Sequence, residues 1–96
     1  SNSLNINYNE IVDHLRILCN KIFESSLFEK DIYKDNIKLI KDVGMDSITF
    51  MSLIIEIEDY FNIIIPDDCL SMDDFDSVER IAMVVEKELN GEFKKK

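Results

Sequence analysis

Ile11, Leu15, Leu18 and Ile22 recur at intervals of four, three and four residues, with Val12, Cys19 and Phe23 beside them. That spacing follows the helical period and predicts an amphipathic helix of about 16–18 residues. Asn7 and Glu10 read as a capping box at its start. The serine pair at 25–26 weakens the pattern, so the helix ends near there. Through residues 27–46 the apolar positions Leu27, Phe28, Ile32, Ile37, Leu39, Ile40 and Val43 follow neither the helical nor the strand period. A long ordered loop with one short helical turn is expected, its apolar residues tying it to the core. Phe50, Leu53, Ile54, Ile57 and Phe61 then define one helical face, predicting a helix from Ser47 to Tyr60 or Phe61 with Asp46 as N-cap. Pro66 pushes Ile65 out of the helical region, so "NIIIPDD" reads as a connector. One further helical turn is expected within 67–74. Asp76 and Glu79 read as a second capping box, D-x-x-E. Val78, Ile81, Ala82, Val85 and Leu89 carry the last helix to about Asn90, with Gly91 as its C′ residue. The chain is thus read as all-α: a small bundle of three main helices plus one short helix, with a long loop between helices 1 and 2.

Size and charge narrow this picture. A chain of 96 residues, 46% of them hydrophobic, is expected to form one domain over 1–96, flexible at 1–5 and 92–96. Two glycines and one proline leave little turn chemistry for a β architecture. The formal charge is −9, and from Asp42 to Glu79 there are eleven acids and no Lys or Arg. Such a field repels nucleic acid and anionic membrane and attracts basic protein surfaces, although it also serves plain solubility. No apolar run approaches the ~20 residues that span a bilayer, and no signal peptide is visible. A cytoplasmic monomer is expected. Cys19 and Cys69 do not make a disulfide framework; Cys19 reads as a small core residue and Cys69 as a free thiol near a loop.

The middle helix carries a second stripe, Ile48, Met51 and Ile55, beside Ser47, Ser52 and Asp59. Either the stripe is an exposed docking surface or the helix is buried over most of its circumference. Ser47 directly follows the cap, so its hydroxyl is expected to point outward. The helix N-terminus there favours an attached phosphate by ~0.3–1 kcal/mol. Asp46 could place a metal ion brought by a modifying enzyme, and Gly44 removes side-chain bulk where another protein would approach. The plainer alternative is an inert first-turn serine. As a nucleophile Ser47 would need a base, and the sole histidine, His14, reads as solvent-exposed and idle on the first helix. A G-x-S-x-G elbow is missing, so no catalytic residue is assigned. "DDCLSMDDFD" lacks the order and the glycine of a calcium loop, and no metal site is expected.

Gly44-x-Asp46-Ser47-Ile48, then an amphipathic helix, then Ile65-Pro66-Asp67 placed 18 to 20 residues after the serine, then Ser77-Val78 opening a last helix, resembles an acyl carrier protein. The match is specific over 43–66 and looser over 67–90. The resemblance implies a small helical bundle without catalysis of its own. It implies that Ser47, flanked by Asp46 and Gly44, receives 4′-phosphopantetheine from coenzyme A through a magnesium-dependent phosphopantetheinyl transferase. Acyl-transferring, condensing or ligase enzymes with basic docking surfaces would then meet Ile48, Met51, Ile55 and Asp59. The acyl chain would tuck against Leu53, Ile57, Ile65 and Ile81. Two departures stand out. Thr49 and Ser52 occupy positions where fatty-acid carriers place acids, which reappear only at Glu56, Glu58 and Asp59, and the 67–76 connector is longer than usual. Fatty-acid, polyketide and nonribosomal-peptide service therefore stay open, the last with aminoacyl or peptidyl cargo. So does an unmodified acidic interaction module.

Overall fold

The computed structural model describes residues 6–91, the side chain of Cys69 excepted. The expectations of flexible ends at 1–5 and 92–96 and of a free thiol at Cys69 lie outside the described residues. Four α-helices, with no strand among the described residues, make up the fold: α1 (Tyr8–Phe23), α2 (Leu39–Val43), α3 (Ser47–Phe61) and α4 (Val78–Leu89). Single 3-10 turns occupy Ser26–Phe28, Asp67–Cys69 and Met72–Phe75.

Helix α1 begins where its local chemistry says it must. The Asn7 side chain accepts the Glu10 amide at 2.9 Å, and Glu10 accepts the Asn7 amide at 3.1 Å. Glu24 ends the helix in the left-handed region. Ile11, Leu15, Leu18 and Cys19 are buried, and α1 packs against both α3 and α4. All five residues assigned to the core face of α3 are buried. Beyond it, Ile63 and Ile65 enter the core while Ile64 stays exposed, the alternation of an extended connector. The connector is pinned back to α3, because the Ile65 amide donates to Glu58 Oε2 at 2.9 Å.

The stretch between α1 and α3 is ordered, and its apolar residues hold it, as expected. Phe28, Ile37 and Leu39 are buried, and Met45 joins them. Polar ties add to this. Arg16 Nη1 donates to the Phe28 carbonyl at 2.7 Å, and its guanidinium lies 6.0 Å from the Tyr33 ring centroid. Glu79 accepts the Tyr33 hydroxyl and, at 3.2 Å, the Asn36 amide. Asn36 adopts a positive φ of 69°, which turns the loop toward α4.

The D-x-x-E reading at the start of α4 is corrected. Ser77, not Asp76, is the N-cap, and its hydroxyl accepts the Arg80 amide at 3.1 Å. Both acids work across the fold instead. Asp76 accepts the Leu39 amide on its carbonyl at 2.9 Å and the Ile40 amide on Oδ1 at 2.8 Å. These are the first two amides of α2, whose own N-cap residue, Lys38, has no capping side-chain bond. A five-residue helix is too short to be stable alone. This one is held by a cap from 36 residues away and by the burial of Leu39.

One further residue breaks the pattern of α4. Glu88 falls on its core face and is fully buried. Among the described residues neither carboxyl oxygen has a hydrogen-bond partner.

Candidate functional site

The segment Gly44–Ser47 is the corner between two helices. Gly44 ends α2 with φ 76°. Its amide donates to Ile40 O at 3.2 Å, and the Met45 amide donates to Leu39 O at 2.9 Å. This double closure needs a left-handed residue at the turn, the conformation glycine adopts at least cost. Met45, 3% exposed, anchors the corner in the core. A Cβ placed on Gly44 would meet nothing within 4 Å. The intramolecular demand for glycine is therefore its backbone angle.

Asp46 opens α3, as its position predicts. The Thr49 amide donates to Asp46 Oδ1 at 2.9 Å, and the Asp46 amide donates to Thr49 Oγ1 at 2.9 Å. The Thr49 amide and hydroxyl hold the exposed Asp46 carboxyl below its usual carboxylate range. Thr49 was legible in the sequence only as a departure from an acidic pattern. Its part in a D-x-x-T capping box was signalled by that same spacing. Ser47 is the first residue of α3 and is exposed, as are Gly44 and Asp46. Its hydroxyl stands at the positive end of a fifteen-residue helix.

Along α3 from Ser47, the second stripe is exposed rather than buried. Ile48 is 76% exposed, Ile55 55% and Met51 47%, and Asp59 is also exposed. The other two late acids are engaged within the fold. Glu56 forms an ion pair with Lys21 of α1 at 3.2 Å, and Glu58 holds the connector. An apolar stripe of this kind, next to the serine and bordered by acid, can receive a partner's surface.

His14 is neither idle nor near the serine. Its ring lies 4.9 Å from the Tyr60 ring, with Nδ1 2.8 Å from the Tyr60 hydroxyl. Tyr60 is thirteen residues beyond Ser47 on α3, about 20 Å along the helix axis. His14 is thus engaged too far away to serve as a base for Ser47. Among the described residues no group of three or more His, Cys, Asp or Glu is placed to hold a metal ion. No helix among them is long and apolar enough to cross a membrane.

Leu53, Ile57, Ile65 and Ile81 do come together, in the closed core, each at most 2% exposed. Surface cavities among the described residues lie elsewhere. One of about 450 Å³ is lined by Leu27, Ile32, Lys34, Ile37 and Asp42. Another, of about 280 Å³, lies on the outer side of α4 beside Arg80, Met83 and Lys87. None of the four core residues lines either cavity.

Comparison with known proteins matches residues 29–86 to the family model described as phosphopantetheine attachment site. That span contains the α2–α3 corner, all of α3, the connector and most of α4. No curated protein matches the chain. The chain belongs to the phosphopantetheine attachment-site family of acyl and peptidyl carriers, whose members bear a covalently attached 4′-phosphopantetheine.

Proposed function

We propose that this chain is a single-domain acyl carrier that bears 4′-phosphopantetheine on Ser47 and presents acyl intermediates to the enzymes of fatty-acid, polyketide or related biosynthesis. The observation that carries the proposal is the exposed Ser47 hydroxyl on the first residue of α3, immediately after an ionised cap. The chain fits the group. The serine is open to an enzyme that must reach it, and the space beside Gly44 is clear of the chain's own atoms. The helix N-terminus also favours the anionic charge of a phosphodiester. When bound, the group supplies a thiol that holds acyl groups as thioesters.

The chain's own residues position and advertise the attachment point. Thr49 and Asp46 fix the start of α3, and Gly44 and Met45 fix the corner that precedes it. The exposed Asp46 carboxylate suits the magnesium ion that the transferase brings. Ile48, Met51, Ile55 and Asp59 form the docking face for the transferase and for acyl-transferring, condensing or ligase enzymes. The acidic run from Asp42 to Glu79 steers their basic surfaces toward it. His14, engaged with Tyr60 at the far end of α3, is not placed to act as a base at Ser47.

A second reading, aminoacyl or peptidyl cargo of a nonribosomal-type pathway, is favoured by one feature. Thr49 and Ser52 replace acids near the serine, and Glu56 is spent on Lys21. Incubation with coenzyme A, magnesium and an active phosphopantetheinyl transferase should raise the intact mass by one phosphopantetheine, with Ser47→Ala unchanged. No mass increase across several active transferases would overturn the carrier reading in favour of an unmodified interaction module. Such a module would bind basic partners equally well with Ser47→Ala. The mass of the thioester retained on protein from its native host separates acyl from aminoacyl cargo.

A further inference from the structure

We propose that the outer face of α4 is a second docking surface, fitted to a partner helix that carries an apolar side chain between two carboxylates. Its residues lie outside the Ser47 segment and the α3 stripe, so the proposal goes beyond the carrier reading and stands whether or not Ser47 is loaded.

Shape, charge and the lack of competing contacts point to this face. It is concave: Asp74, Arg80, Met83, Val84 and Lys87 line a cavity of about 280 Å³. Along α4, Met83 and Val84 lie between Arg80 and Lys87, and Met83 is 54% exposed. An exposed thioether beside a hollow gains from an apolar group that covers it, and its flexibility lets it fit that group. Arg80 and Lys87 are seven residues apart and are the first two bases after the acidic run. Two helical turns put them on one face, about 10 Å apart along the axis. Neither forms an ion pair among the described residues. Arg80 Nη1 donates to the Asp73 carbonyl at 3.2 Å, which steadies the guanidinium without a carboxylate to neutralise it.

Charge complementarity selects the occupant. A helix docks through side chains at i, i+3 or i+4, and i+7. Two carboxylates seven residues apart match Arg80 and Lys87, and the apolar residue between them covers Met83 and Val84. The acids of α4 itself leave that place open. Glu79 is held by Tyr33 and Asn36 of the long loop, Glu88 is buried, and Glu86 does not line the cavity. A second copy's α3 stripe is a poor match. Glu56 is paired with Lys21 and Glu58 holds the connector, which leaves Asp46 and Asp59, thirteen residues apart rather than seven. Asp74 is the acid in the lining. Its charge opposes an incoming carboxylate, so it gives the test a residue of opposite sign.

The test is an NMR titration of the full, unmodified chain with a stapled alanine-based helical peptide bearing Glu, Leu and Glu at i, i+3 and i+7. A control peptide bears Lys, Leu and Lys at the same places. The acidic peptide should give saturable shifts at Arg80, Met83, Val84 and Lys87 that weaken as salt is raised, and the basic one none at α4. Met83→Asp should weaken binding by about tenfold, and Lys87→Glu by about fivefold. Asp74→Asn should tighten it, an effect that a purely apolar contact does not produce. Ile55→Asp, on the α3 stripe, should leave it unchanged. All four positions are exposed, and circular dichroism checks that each variant keeps the parent's helical signal. Equal binding of both peptides at α4, no shifts at α4, or an affinity indifferent to Lys87→Glu would overturn the proposal. So would α4 shifts that grow with the chain's own concentration in the absence of peptide, because they would assign the face to a second copy.

Discussion

Glu88 offers a direct test of how this small core is balanced. Its side chain is fully buried on the inner face of α4, and both oxygens lack a hydrogen-bond partner among the described residues. A buried polar group without a partner costs about 1–3 kcal/mol. Methionine has a similar length and no hydrogen-bonding demand, and its flexible thioether adapts to the space a glutamate leaves. Glu88→Met should therefore stabilise the fold by about 2 kcal/mol, the middle of that range. In a domain of this size each 1 kcal/mol moves Tm by about 4–8 °C, so the rise should be about 8–16 °C. Glu88→Gln keeps the shape and an unsatisfied polar end, so it should gain less than Met. Thermal unfolding followed by circular dichroism at neutral pH, with all three proteins in one buffer, reads the order directly. A Tm for Glu88→Met below that of the parent would refute the reasoning, because it would show that the carboxyl is satisfied in the folded protein.

Asp76→Ala removes the acceptor for the Ile40 amide. It should cost about 0.5–2 kcal/mol in urea titration and speed amide exchange at Ile40, leaving α4 capped by Ser77. Gly44→Ala places a side chain at φ 76°, so it should destabilise by about 1–2 kcal/mol despite the open space around it. Burial, reinforced by the charge of Glu79, pushes the Cys19 thiol from its ordinary 9.0 up to about 12. Folding therefore favours the protonated thiol. The stability this contributes is complete below pH 9.0 and is lost as pH rises toward about 12. Cys19→Ala should flatten that part of the pH–stability curve. In the folded protein at neutral pH, peptide mapping after iodoacetamide treatment should find Cys19 unlabelled, with labelling appearing in urea.

What could be read from the sequence was local. The capping box at Asn7 and Glu10, the cap at Asp46 and the buried face of α3 each follow from residues within one or a few helical turns of one another. The exposed position of Ser47 followed from its place just after a cap. The unread parts depend on contacts across the chain. Asp76 and Glu79 fit a capping box by spacing, yet Ser77 takes the cap and releases both acids to hold α2 and the long loop. Five residues are too few to show a helical period, so α2 was hidden among irregular apolar positions. The pairing of His14 with Tyr60 spans 46 residues. Glu88 sits on a helical core position where an acid is ordinarily solvated, and only the packing shows otherwise.

The central claim concerns one oxygen atom. After transferase treatment, proteolysis and tandem mass spectrometry should locate the phosphopantetheine on the peptide containing Ser47, with fragment ions bracketing that residue. Modification at Ser52, Ser71 or any other residue, with Ser47 bare, would contradict the account.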